Sequence, residues 1–520
     1  MPPALAVPLA EPNGLPERIN QLLYVTESRS AFFNPEVVAQ AYQANNFRSL
    51  WYSAGRLTAA GKLAQKALQD AASLGLDAED YQHVLLMMPA DSVLTPREQQ
   101  EAELLMADRL LLLAQHIKHG RLYPDTLLPN NTLGLGIIKA FNDIIASGQI
   151  EQQLQPWLAS LIPKQRAYQY LAMELDRLQD LPKQALGLNK TLKLKDQGSE
   201  VARLRQLLRE FGYLKNTGVI ADPETFDLTL QKAVMDFQLA HSLETDGIAG
   251  PGTRMALERL LNGDIQMILV NMERWRWMPE SFGNDYIAVN IANFDLNYFY
   301  EGKLALTMKT IVGKNYRKTP TFTKDMRYFV VNPTWNVPHM IASKDLLPKI
   351  QKDVNFLADM NMLVWQGWGD QQVRIDPLSV DWQKLTAKTF PYRLQQMPGP
   401  KNALGRVKFM FPNEHNVYLH DTNDRALFAK SQRTFSSGCI RLEKPLALLE
   451  LIAKNHAGLD GQATQQFIDS GREKTVLLKQ PLPVHIQYWT TWIDAEGRVH
   501  YRHDIYDRDQ AIWQALQAAI

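Results

Sequence analysis

The apolar residues of this chain change their period once, and that change excludes a single uniform fold. Over residues 16 to about 190 they recur at helical spacing. Residues 101–119, for example, place Leu104, Leu105, Leu111 and Leu112 on a helix that Gly120 and Pro124 would stop. From Tyr286 the pattern alternates instead: Ile287, Val289 and Ile291, then Leu304, Leu306 and Met308 after a Glu301-Gly302 turn. A period of about 3.6 buries one stripe of a helix and a period of 2 buries one face of a strand, so helices are expected first and strands later. Further strands are expected at 329–332 and 417–419, and 484–493 should pair with 499–503 across Ala495-Glu496-Gly497. A chain of 520 residues also exceeds the roughly 250 to 300 at which one core stops growing. The expected class is therefore multidomain α+β.

The boundaries follow from shifts in pattern. Residues 1–192 read as a helical scaffold that gathers no chemical groups. Residues 193–263 read as a separate module of three short helices, and 264–520 as a mainly β domain. Within the last, 343–405 looks helical and irregular, carries Trp365, Trp368 and Trp382, and is long enough to be an insertion that caps a cleft.

The small module has its own signature. Val201, Leu204, Leu207, Leu208 and Phe211 form one apolar face closed at Gly212, and a second helix runs through Leu230, Val234 and Phe237. Asp246-Gly247 makes a turn, and Thr253 opens a third helix with Ala256, Leu257 and Leu260. Together with Gly198-Ser199-Glu200, Tyr213-Leu214, Ala233, Gln238, Leu243 and Gly250, these residues resemble the type 1 peptidoglycan-binding domain over its whole repeat. The resemblance implies the fold; glycan binding by it and scaffolding without glycan affinity both stay open.

Composition removes several classes of function. Lys plus Arg number 56 against 55 Asp plus Glu, so no global field attracts a polyanion, and nucleic acid is not an expected partner. The most apolar stretch, 104–114, carries Asp108 and Arg109 and is far shorter than the roughly 20 residues of a membrane span; it reads as a buried helix. Met1 to Ala6 lacks the basic and apolar regions of a secretion signal. A single cysteine forbids an intramolecular disulfide, so Cys439 has to be explained individually.

The explanation lies around it. Tyr418-Leu419-His420-Asp421-Thr422 is followed, after a loop, by Phe435-Ser436-Ser437-Gly438-Cys439-Ile440-Arg441-Leu442. A free thiol is only a few per cent thiolate at neutral pH, so a nucleophilic cysteine needs a base or a positive neighbour, and His420 and Arg441 supply both. A histidine of ordinary pKa near 6.5 can take the thiol proton and later protonate a leaving amine. Gly438 lets backbone approach substrate, so the amides of Gly438 and Cys439 are expected to face a developing oxyanion. His339, His415 and His485 read as packing or surface residues. His500 and His503 fall on opposite faces of a strand, and neither a metal nor another cofactor is expected.

This run resembles the YkuD-type L,D-transpeptidases, whose motif is a strand ending in His-Gly-Thr, a loop, and Ser-His-Gly-Cys-Ile/Val-Arg. Here Asp421 replaces the first glycine and Ser437 the second histidine, which leaves His420 as the base. Asn332-Pro333-Thr334-Trp335-Asn336-Val337-Pro338, Pro398-Gly399-Pro400, Asn402-Ala403-Leu404-Gly405 and Lys408-Phe409 further resemble the large multidomain YcbB (LdtD) branch. The resemblance implies a YkuD-like β-sandwich and a thiolate attack on a donor tetrapeptide stem of peptidoglycan that releases D-alanine. It then implies a 3→3 cross-link through the side-chain amine of a diamino-acid acceptor. It assigns Cys439 as nucleophile, His420 as general base and acid, and Gly438 with Cys439 as oxyanion hole. Arg441 is expected either to orient substrate or to hold the loop. Tyr418 and Ser437 are expected at the substrate, and Trp335 either there or in the core. The resemblance also implies acylation by carbapenems, wall-synthesis enzymes as partners, and a periplasmic location with an inner-membrane attachment outside this chain. Two alternatives remain: a cysteine hydrolase that trims stems, and a wall-binding protein without catalysis.

Overall fold

The computed structural model describes residues 14–24, 32–89, 91–122, 134–179, 182–214, 222–241, 243–494 and 498–518. Met1 to Ala6, Pro124 and the Ala495-Glu496-Gly497 turn lie outside them.

The first third is helical, with one short hairpin of β1 (Tyr52–Ser53) and β2 (Arg56–Leu57). Its central helix, Pro96–His119, opens with a capping box in which Thr95 and Glu98 satisfy each other's backbone amides. The apolar stretch 104–114 is buried inside this helix; Asp108 within it and Glu103 just before it are buried too because their carboxylates accept amides from other segments, and Arg109 pairs with Asp108. The Glu103 carboxylate receives the amides of Trp51 and Tyr52, and Asp108 receives those of Phe33 and Asn34. No helix among the described residues is long and apolar enough to cross a membrane.

The three-helix module is present as Ser199–Glu210, Leu228–Ala240 and Pro251–Asn262, packed around Leu204, Leu208, Val234, Phe237 and Leu257. The helix Ile265–Arg276, which follows the expected boundary at 264, packs Met267, Ile268, Met272 and Trp275 with Tyr168, Leu171 and Leu175 of the scaffold. It thus joins the two regions.

The last part is built on one mixed sheet. Its strands are β3 (Tyr286–Asn290), β4 (Asp295–Tyr300), β5 (Lys303–Gly313) and β6 (Phe322–Val331), then β11 (Val407–Met410), β12 (Leu419–His420), β13 (Thr434–Ser436), β14 (Ile440–Leu442) and β15 (Lys474–Gln487). The order is β13-β5-β14-β12-β11-β6-β15-β3-β4, and β4 also pairs with β5, so the sheet closes on itself around Val289, Leu296, Phe329, Phe409, Leu419 and Ile440. Closure leaves few unpaired edges. The expected pairing of 484–493 with 499–503 is confined to β16 (Thr491–Ile493) and β17 (Val499–Tyr501), because most of the earlier stretch is taken up by β15, which pairs with β6 and β3.

The insertion between β6 and β11 differs from its expectation. It contains short helices, but also a four-stranded antiparallel sheet of β7 (Trp335–Asn336), β8 (Met362–Gln366), β9 (Val373–Ile375) and β10 (Arg393–Gln396), in the order β7-β10-β8-β9. It has its own core of Leu347, Ile350, Val364, Trp382, Phe390 and Leu394. Strands this short give too few alternating residues to show a period, which is why the segment reads as irregular.

Candidate active site

Strands β12 and β14 run parallel, with Leu419 opposite Ile440 and His420 opposite Arg441. Side chains alternate across a strand, so Leu419 and Ile440 point inward and are fully buried. Tyr418, His420, Cys439 and Arg441 therefore stand together on the other face. The pairing continues one step back, where the Ile440 amide donates to the Tyr418 carbonyl at 3.1 Å.

Cys439 follows a tight turn. Gly438 has φ +116°, a conformation L side chains rarely adopt. Ser436 fills the turn: its hydroxyl accepts the Gly438 amide at 3.1 Å and donates to the Cys439 carbonyl at 2.5 Å. Of the two amides expected to face an oxyanion, that of Gly438 is thus committed to Ser436. No acceptor engages the Cys439 amide among the described residues, so the expected pair of donors is reduced to this one. Beneath the turn, buried Thr319 donates to the Gly438 carbonyl at 2.8 Å and accepts the Gly313 amide at 2.9 Å. Tyr506 donates to the Gly313 carbonyl, completing a frame under the loop.

The thiol is half-buried and donates to the Asn416 carbonyl at 3.7 Å. Burial pushes it up to about 11, against the opposing pull of the Tyr418 amide and hydroxyl and of the Arg441 charge. His420 is pushed down to about 3, first by burial and then by Arg441, with Lys408 adding to it. Thiol and imidazole are therefore both neutral at pH 7. The sequence expectation of a thiol ionised by its neighbours is not met, because desolvation outweighs the Tyr418 hydrogen bonds and the Arg441 charge.

His420 does not hydrogen-bond the sulfur. Its Nδ1 lies 2.5 Å from the Asp421 carbonyl oxygen, which makes Nδ1 the protonated nitrogen and leaves the lone pair on Nε2. Tyr418 is the side chain that touches the thiol. Trp335 meets the core expectation made for it: it is half-buried against the insertion core, and its indole reaches the Tyr418 hydroxyl. Ser437 is exposed and accepts from Arg317 at 2.9 Å. Arg317 also pairs with Asp345 of the insertion, at 3.2 Å through its second nitrogen. Arg441 is half-buried, and its Nε has no partner among the described residues.

Asp421, a departure from the motif, does structural work. Its carboxylate accepts the amides of Arg406 and Thr422 at 2.8 and 2.7 Å and pairs with Arg425 at 3.2 Å. A Cβ on Gly405 would meet its Oδ2 at 2.2 Å. Arg317, Thr319 and Asn416 carry no sequence signal; Lys408 enters the sequence reading only through the Lys408-Phe409 resemblance, with no role attached to it. His339 bonds the Phe390 carbonyl at 3.1 Å, His485 pairs with Thr323 at 2.9 Å, and His500 with Asp494 at 2.8 Å.

Residues 284–475 match the family model of the YkuD L,D-transpeptidase catalytic domain, 197–257 that of the "Putative peptidoglycan binding domain", and 36–175 that of the "Scaffold domain". The chain therefore carries a YkuD L,D-transpeptidase catalytic domain and a peptidoglycan-binding domain. It is similar to a "Putative L,D-transpeptidase" of Haemophilus influenzae, with 36% identity over 247 residues, 48% of this chain and 49% of the relative. The match thus spans about half the length of that relative. Two solved structures are also similar. An L,D-transpeptidase from Mycobacterium smegmatis is 11% identical, covering 39% of this chain and 58% of that one with a TM-score of 0.19. One from Stackebrandtia nassauensis is 11% identical, covering 57% and 94% with a TM-score of 0.22.

Proposed function

We propose that the chain is a peptidoglycan L,D-transpeptidase of the YcbB (LdtD) branch that forms 3→3 cross-links through an acyl-enzyme on Cys439. The observation that carries this reading is the common face of β12 and β14, where the only cysteine stands beside a histidine whose lone pair is held on Nε2. Because both groups are neutral at rest, the thiol proton passes to Nε2 as sulfur attacks the carbonyl of the third stem residue. The C–N bond then breaks, the proton goes to the leaving amine, and D-alanine departs. The amine of a diamino acid on a second stem next attacks the thioester; a C–N bond forms, the C–S bond breaks, and the amine's proton returns to sulfur through His420.

The amide of Cys439 is the oxyanion donor in this scheme; Gly438 supplies the turn that aims it, and Tyr418 with Trp335 borders the donor peptide. Burial, reinforced by the Arg441 charge, keeps the imidazole neutral between turnovers. Ser437 meets substrate at the rim only if Arg317 releases it. Carbapenems are expected to acylate the same sulfur. A stem-peptide substrate fits a protein that works in the periplasm beside other wall-synthesis enzymes.

The test is mass spectrometry of disaccharide-tetrapeptide muropeptides incubated with the protein and with Cys439→Ala. A 3→3 dimer formed only by the unaltered protein is expected. Tripeptide without dimer would indicate the hydrolase, and no product from either would indicate a wall-binding protein.

A further inference from the structure

Register sets three side chains in a row across β14, β12 and β11: Arg441 opposite His420, and His420 opposite Lys408. Residues directly opposite each other project from the same side of a sheet, and neighbouring strands lie about 4.8 Å apart. Lys408 therefore shares the face of His420 and stands one strand further from Cys439. Its neighbours Val407 and Phe409 are fully buried on the other side.

Lys408 is half-buried and forms no ion pair among the described residues. The carboxylate that acts on it, Glu473, is bonded to the Thr334 amide. Burying an ammonium away from water without a partner is unfavourable, and a lysine so placed in a core would be replaced by an apolar residue at no loss. A site that admits an anion resolves the conflict.

The chemistry of acyl transfer says which anion. The scissile carbonyl carbon must meet the sulfur, and the leaving nitrogen must meet the imidazole. In a tetrapeptide donor the α-carboxylate of the leaving residue lies two bonds beyond that nitrogen. The order sulfur, imidazole, ammonium on the sheet face matches the order carbonyl, amine, carboxylate along the donor. We propose that Lys408 is the subsite for the free α-carboxylate of the leaving D-amino acid, so that the site selects donors ending at the fourth residue. The proposal rests on the acyl-transfer reading above.

Steady-state kinetics of the full chain with a disaccharide-tetrapeptide and with its C-terminal carboxamide test it. The unaltered protein is expected to favour the carboxylate donor at least tenfold in kcat/KM, as a single charge-assisted contact allows. Lys408→Met should abolish that preference by raising KM for the carboxylate donor alone, and Lys408→Arg should keep most of it. Equal slowing of both donors by Lys408→Met, or a preference that survives it, would overturn the subsite. Equilibrium binding of the two donors to Cys439→Ala protein, with and without Lys408→Met, reads the subsite without turnover. Tighter, Lys408-dependent binding of the carboxylate donor, together with no product from the protein that retains Cys439, would sink the cross-linking reading and keep the subsite. Equal binding of both donors would remove the subsite whatever the turnover.

Discussion

The backbone carbonyl of Asp421 accepts the Nδ1 proton of His420 at 2.5 Å, while the side chain of the same aspartate occupies the space a Cβ on Gly405 would need. One residue thus holds the tautomer of the candidate base and the path by which the chain returns from the insertion.

That double role predicts a steric coupling. Gly405→Ala should destabilise the fold by about 1–3 kcal/mol, from its φ of +60° and from the clash with Asp421 Oδ2. Asp421→Gly should cost about 2–4 kcal/mol, since it strands the amides of Arg406 and Thr422. The double variant should be more stable than the sum of the two implies, because only the clash disappears. Urea unfolding of all four proteins checks this; strict additivity would contradict the contact.

Alkylation of Cys439 should report a thiol that is protonated at rest. With the only cysteine in the chain pushed up to about 11, the iodoacetamide rate should keep rising well above pH 9. Tyr418→Phe should slow the reaction at pH values below the thiol's midpoint, because the hydroxyl that favours the thiolate is gone. A midpoint at or below pH 8 would rule out the resting state described here.

Buried His420 should also shape acid stability. Its folded value of about 3 lies below its unfolded value near 6.5, so the folded state binds fewer protons between these limits. The stability it contributes is full above pH 6.5 and is lost as pH falls towards 3. His420→Gln should flatten the decline between pH 6 and 4 by up to about 1.4 kcal/mol per pH unit. His116, His241 and His485, also buried and pushed down to about 3 to 4, should keep the remaining slope. An unchanged slope in the variant would refute the assignment.

Arg317→Ala should barely alter global stability, by less than about 1 kcal/mol, because Asp345 remains partly solvated in the pair. It should free Ser437 and unfasten the insertion from the loop. Hydrogen exchange should therefore rise around 343–347 and 436–438 while the melting temperature stays nearly constant; a large drop in melting temperature with no local change would argue against the link.

What the sequence determined by itself is local and chemical. Helical spacing in the scaffold, the repeat of the three-helix module and alternation after Tyr286 are all carried by short-range pattern, and each is found in the structure. What only the tertiary structure decided depends on which segments meet. Nothing in residues 418–420 says that they lie beside 439–441 in a parallel pair, since strand partners are chosen by distant packing and not by period. The same holds for Arg317 between Ser437 and Asp345, and for the sheet inside the insertion. The protonation states of Cys439 and His420 belong to this second group too. Residue type supplied two groups able to exchange a proton; burial, which no local pattern reveals, made both of them neutral.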